Sequence, residues 1–178
     1  MSLPKVRLYL LGGTIIMEKA SSGAASSGVV PTVDAAALCR AVPGLDKVAE
    51  VEAHTLQMLA SSNLTYGHGL QLADEIKKAA LAGEADGFVV VQGTDTLEEM
   101  AFLLDCLLDI KAPVVVTGAM RSPAQLSADG PANLMAAVIC AATEAVGLLG
   151  VVVAFSDEIH SARYVTKGHT GDVGAFQS

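Results

Sequence analysis

Basic charge is scarce in this 178-residue chain: 11 Lys and Arg face 19 Asp and Glu, for a formal net charge of −8. Nucleic-acid binding needs a basic footprint to meet phosphates, so that class is excluded. The same acidity argues against docking on an anionic membrane surface. Charge of either sign is thin. Charged residues are 17% of the chain and hydrophobic ones 52%, where an ordinary soluble domain carries about a quarter charged. Such a chain is long enough for one domain with a full core and too apolar to be disordered.

Cysteine is also sparse. Cys39, Cys106 and Cys140 lie far apart, with neither a CxxC pair nor a Cys/His ligand spacing. Each falls in a helical stretch and reads as a small core residue, which fits a reducing compartment, the cytoplasm. The four histidines show no metal-ligand spacing either; His169, near Lys167, is the one placed to line a pocket. The N-terminus lacks the long apolar stretch and small-residue cleavage site of a signal peptide. Residues 134–155 carry Glu144 as their only charge. Gly147 and Gly150 interrupt that run, so it reads as a buried helix and a buried strand rather than a membrane span. No repeat, coiled-coil heptad or low-complexity tail is present.

What is there is an alternation of short β-branched runs with helical patterns. Strands are expected at 6–11, 48–59, 88–91, 113–117 and 151–155, the last closing the series. Helices are expected from Asp34 to Pro43-Gly44, over 65–82 up to Gly83, over 96–109, and from Asp129 and Pro131 onward. Residues 15–32, rich in Gly, Ser and Ala, read as a mobile loop. Met100 and Met135 read as core filler. Near-continuous apolar strands alternating with helices imply a mostly parallel sheet covered on both faces.

Ligands of open parallel sheets bind beyond the carboxyl ends of the strands. The unusual polar groups recur there: Gly12-Gly13-Thr14, Ser61-Ser62-Asn63, Gln92-Gly93-Thr94-Asp95-Thr96, Gly118-Ala119-Met120-Arg121, Ser156-Asp157 and Val165-Thr166-Lys167. They are expected to converge on one rim. Glycine beside Thr14 and Thr94 lets backbone approach a ligand closely. Thr94 and Asp95 fall at a helix start, where free N–H groups and the helix dipole favour an oxyanion or carboxylate. A threonine needs a base to become a nucleophile. Lysine serves as one only where burial or neighbouring charge lowers its pKa. Taken singly these residues have plain readings: a strand-to-loop turn, a helix cap at Asp95, a surface lysine at Lys167. Only the combination is informative. A dinucleotide site is disfavoured, since no GxGxxG follows the first strand.

At these residues the chain resembles the bacterial-type L-asparaginase/glutaminase family. LGGTI at 11–15, QGTDTLEEMAFLL at 92–104, PVVVTGAMR at 113–121, LSADGPANLMAA at 126–137 and VTK at 165–167 carry the resemblance, in the family's order. It implies a three-layer, flavodoxin-like, Rossmann-like α/β domain, the family's N-terminal catalytic domain, spanning residues 1–178. The family's smaller C-terminal domain, which lends a glutamate to a neighbouring subunit's site, is expected to be absent from this chain. The implied reaction is hydrolysis of L-asparagine to L-aspartate and ammonia through a threonine nucleophile and an acyl-enzyme. Thr14 would be the primary nucleophile, and Thr94, Asp95 and Lys167 the second catalytic group. Ser61 and Ser62 would bind substrate, with Ser61 on its α-carboxylate and Asp95 on its α-amino group. Backbone around Gly93, Thr94 and Ala119 would position the amide. No metal or cofactor is implied, and a homo-oligomer, dimer or tetramer, is. Two positions depart from the family pattern. Residues 15–32 contain no tyrosine, and Ser62 stands where glutamine is frequent. The alternatives are a glutaminase or an ammonia-producing amidotransferase subunit, and a catalytically impaired amino-acid-binding domain.

Overall fold

Leu8, Tyr9, Leu10 and Leu11 form a run with no polar interruption, as a strand buried on both faces requires, and all four are buried in β1 (Lys5–Gly12). The computed structural model describes residues 2–19, 29–31 and 34–178. The expected loop 15–32 falls partly on 20–28 and 32, outside the described residues. On either side of them run a 3-10 turn at Thr14–Ile16 and an antiparallel pair, β2 (Met17–Lys19) with β3 (Val29–Pro31). Helix α1 (Ala35–Arg40) follows. The Asp34 carboxylate caps it by accepting the Ala37 N–H at 2.7 Å.

Strand β4 (Glu50–Leu59) leads to α2 (Tyr66–Leu81), opened by a capping box between Thr65 and His68. Then come β5 (Gly87–Val91), α3 (Leu97–Leu107), β6 (Val114–Thr117), α4 (Gly130–Ala141) and β7 (Val151–Phe155). The strand order β4-β1-β5-β6-β7 is parallel throughout. The series does not close at β7. Ser156 and Asp157 take positive φ of 51° and 64° and turn the chain into β8 (Glu158–Ser161), antiparallel to β7 at the sheet edge. A hairpin turn of this kind ordinarily signals itself by Asn-Gly or Asp-Gly; Ser-Asp is a weaker signal. A separate ribbon of β9 (Thr166–Lys167) and β10 (Phe176–Gln177) follows.

Period-2 alternation sorts the sheet's side chains into two cores. Leu8, Leu10, Val89, Val91 and Val115 face α1 and α4. Tyr9, Leu11, Phe88, Val90 and Val116 face α2 and α3. The architecture is the three-layer α/β arrangement expected. Among the described residues no helix is long and apolar enough to cross a membrane.

Not every cysteine is a core residue. Cys140 is buried and Cys39 partly so, but Cys106 is exposed. Helix α3 buries Leu97, Met100, Ala101 and Leu104, and position 106 falls off that stripe. Burial pushes the Cys39 thiol up to about 11, leaving little thiolate near neutrality. Iodoacetamide at pH 8 is expected to alkylate Cys106 first and Cys39 much more slowly, read by peptide mass spectrometry.

One carboxylate ties α3 to the sheet edge. Asp105, its side chain 7% exposed, accepts the Val151 N–H at 2.9 Å and the Arg163 Nε–H at 2.7 Å. Asp105→Ala leaves a buried N–H unpaired and is expected to cost about 1–3 kcal/mol in urea unfolding. Asp105→Asn keeps one acceptor oxygen and is expected to cost less.

Candidate active site

The loops after β1, β4 and β5 meet because they present glycine and serine to one another. Gly13 has φ of +98°, and a Cβ there would overlap the backbone of Gly93. A Cβ on Gly93 would lie 2.7 Å from Ser61 Oγ and 3.3 Å from Gly13 Cα. Glycine is therefore required at both positions for backbone contact. Thr14, next along, is half-buried and opens the 3-10 turn Thr14–Ile16. Ile15 packs on α4, where a Cβ on Gly130 would sit 2.7 Å from Ile15 Cγ1 and 3.4 Å from the buried Ala119 methyl. Thr14 is thus placed between the residue that touches Gly93 and the residue that lies over Gly130 and Ala119.

The polar centre lies where α3 begins. A 3-10 turn, Thr94–Thr96, precedes α3, and Lys167 reaches it from β9. The Lys167 Nζ is 2.8 Å from Thr94 Oγ1 and 2.8 Å from Asp95 Oδ1. The Lys167 side chain is 14% exposed, whereas Asp95 is 70% exposed. Thr94 is buried at 8%. A half-buried amine in hydrogen-bond contact with a threonine hydroxyl is placed to exchange a proton with it, and the open side of the carboxylate can take a cationic group from solvent.

Ser61 joins this cluster from the turn after β4. Its Oγ accepts the Asp95 N–H at 3.1 Å, and its carbonyl accepts the Thr96 hydroxyl at 2.9 Å. Because Ser61 Oγ is already an acceptor, its own proton remains free to donate. Ser62, on the same 3-10 turn, is exposed. Asp95 is not a helix cap: Thr96 holds that position. His169 does not line the pocket by a contact there; its Nδ1 accepts the N–H groups of Gly171 and Asp172 at 3.1 and 2.9 Å.

Other residues hold the rim without having been singled out for it in the sequence. Asp129 was expected only to open α4, yet its carboxylate accepts the N–H groups of Met120 and Arg121, both at 2.9 Å. Asn133, buried at 3%, donates to Gly118 O at 3.1 Å and accepts the Ser156 N–H at 3.0 Å. These two fix the loops after β6 and β7. The signal for both was their place in SADGPAN, where a buried polar residue on a helix face needs partners.

The fold and site define an α/β layer protein whose strand-end loops join a threonine hydroxyl, a lysine amine and an aspartate carboxylate. Residues 5–178 match the model of the asparaginase N-terminal domain, and the chain belongs to that family. It is 38% identical to L-asparaginase 2 of Escherichia coli over 178 residues, covering 100% of this chain and 50% of that protein. It is 41% identical to a probable L-asparaginase of Deinococcus radiodurans over 175 residues, 98% of this chain and 51% of that one. The crystal structure of a probable cytoplasmic L-asparaginase from Campylobacter jejuni matches with a TM-score of 0.87 at 35% identity, covering 98% of this chain and 51% of that chain. The chain spans about half the length of the curated relatives it matches.

Gly13→Ala meets both an unfavourable φ and the Gly93 backbone, so it is expected to cost more than about 1 kcal/mol of stability. Gly171→Ala is the control: a Cβ there meets nothing within 4 Å, and the change is expected to stay within about 0.5 kcal/mol. Thermal unfolding of the two variants checks this.

Proposed function

We propose that this chain supplies the threonine–lysine–aspartate catalytic layer of an amidohydrolase that converts L-asparagine to L-aspartate and ammonia. The observation that carries the reading is the Lys167 amine, 2.8 Å from both Thr94 Oγ1 and Asp95 Oδ1. The relatives named L-asparaginase support the choice of substrate class.

In this reading the substrate's α-ammonium meets the open carboxylate of Asp95. Its α-carboxylate accepts the free proton of Ser61, with Ser62 beside it at the exposed face of the turn. The side-chain amide then lies against the backbone of Gly93, Thr94 and Ala119. Thr14 Oγ attacks the amide carbon and gives up its proton, and backbone N–H groups stabilise the oxyanion, worth about 3 kcal/mol for each donor. That proton passes to the nitrogen, the C–N bond breaks, and ammonia leaves the threonine ester. Thr94, with its proton passed to and from the Lys167 amine, activates a water that adds to the threonine ester. Aspartate leaves and the Thr14 hydroxyl is restored. No metal or cofactor takes part in this sequence.

The protein acts, in the same reading, as a homo-oligomer, dimer or tetramer, in the cytoplasm; three free thiols suit a reducing compartment. Ammonia release by the complete protein, wild type against Thr14→Ala, Thr94→Ala and Lys167→Met, tests the mechanism. Each variant is expected to lose about 10²–10⁴ in kcat on L-asparagine. Undiminished turnover in both threonine variants would sink it. L-Glutamine, assayed in parallel, is expected to be the poorer substrate.

A further inference from the structure

Lys167 does not belong to the main sheet. It sits on β9, a strand of two residues whose ladder partner β10 is equally short. One further backbone bond, Gly168 N–H to Ala175 O at 2.8 Å, closes the ribbon. Val165, Ala175 and Phe176 pack into the core on the α2 and α3 side, and the Phe176 ring lies tilted against Phe155 with ring centroids 4.8 Å apart. These contacts hold the ribbon against the domain. They do not fix its slide along α3, because apolar contact is non-directional. An amine that must be in hydrogen-bond reach of one hydroxyl and one carboxylate needs that slide fixed.

The Arg163–Asp105 pair ties the chain to α3 four residues earlier; at Lys167 itself the tie to α3 is Glu98. It lies in the first turn of α3, three residues after Asp95 and four after Thr94. Its two carboxylate oxygens engage two consecutive residues of β9. Oε2 accepts the Lys167 backbone N–H, and Oε1 accepts the Thr166 hydroxyl at 3.3 Å. The helix turn that follows Thr94 and Asp95 therefore also grips the main chain of the residue whose amine must reach them. Two bonds from one planar group to adjacent residues set both distance and direction. The neighbouring Glu99 makes no such bond among the described residues.

The geometry points to Glu98 as a positioning residue for the Lys167 amine. This rests on the amidohydrolase reading above for its kinetic consequence, but not for its structural one. Displacing a reacting group by about 1 Å can cost about a hundredfold in rate. Glu98→Ala is therefore expected to lower kcat about 10–100-fold. KM should stay within about twofold, because Ser61 and the Asp95 carboxylate are left in place. Glu98→Gln keeps an acceptor oxygen for the Lys167 N–H, and its amide can donate to the Thr166 hydroxyl. Its kcat is expected to stay within about threefold of wild type.

The test that does not depend on turnover is reductive methylation of the complete protein with formaldehyde and a borohydride, read peptide by peptide. In the wild type and in Glu98→Gln, Lys167 is expected to label slowly, tethered and 14% exposed. In Glu98→Ala it is expected to label at least about fivefold faster, while Lys78, 73% exposed, labels equally in all three. Circular dichroism and the Lys78 rate identify a variant that fails to fold. Should Glu98→Ala not fold, Thr166→Val removes one of the two bonds and is expected to give a smaller acceleration at Lys167. Lys167 labelling that is the same in wild type and the folded variant overturns the inference, whatever the activity. So does a Glu98→Gln protein as impaired as Glu98→Ala. Faster Lys167 labelling in a protein that releases no ammonia as wild type would uphold the positioning role and refute the amidohydrolase reading instead.

Discussion

The Lys167 amine is largely withdrawn from water, and a withdrawn amine must be hydrogen-bonded or it destabilises the fold. Its partners, Thr94 Oγ1 and Asp95 Oδ1, both belong to one 3-10 turn. Around that pairing the other loops are constrained in sequence. Asp95 N–H is fixed by Ser61 Oγ. Ser61 can come that close only because Gly93 has no side chain, and Gly93 in turn admits Gly13. The loops after three parallel strands are thus locked to one another through backbone contacts that any Cβ would break.

The parallel sheet explains why these polar groups collect at the strand ends. Both faces of β1, β5, β6 and β7 are covered, so a polar side chain in mid-strand would lack partners. The exceptions on these strands confirm the rule. Arg7, at the start of β1, reaches out to Glu52 and Glu84, each at 2.6 Å. Thr117, the last residue of β6, spends its hydroxyl on Ala154 O at 2.8 Å. The next positions along each strand are free of that restriction, and the serines, threonines and aspartates appear there.

Most of this architecture was legible in the sequence because it is written in local signals. The buried strands are unbroken apolar runs. The first two helices begin at Asp34 and Thr65 and the second ends at Gly83, as capping chemistry dictates; the fourth starts after Asp129 with proline in its first turn. Thr94, Asp95, Lys167 and Ser61 do meet, as their places after successive strands suggested. What was not legible depends on partners distant along the chain. Nothing local distinguishes Glu98 from Glu99, both in the first turn of α3, until the ribbon carrying Thr166 and Lys167 is in place. Asp129 looked like an ordinary cap, and its grip on Met120 and Arg121 depends on how the preceding loop folds back. A place inside a helix does not make a residue buried, and Cys106 lies off the apolar stripe of α3. Strand β8 carries little local signal, because a Ser-Asp pair at positive φ is an uncommon way to turn a hairpin.

The lysine that completes the cluster stands 73 residues beyond the threonine it bonds and 106 positions beyond Ser61. Among the described residues, helices α1 to α4 and the five parallel strands all precede it. During synthesis, then, the sheet and its helices can condense while the amine is still missing. The threonine and aspartate wait as an ordinary helix start. The three-way contact of amine, hydroxyl and carboxylate therefore forms only after the layers it stands on, and a chain cut before β9 would keep those strands and helices but lack the amine.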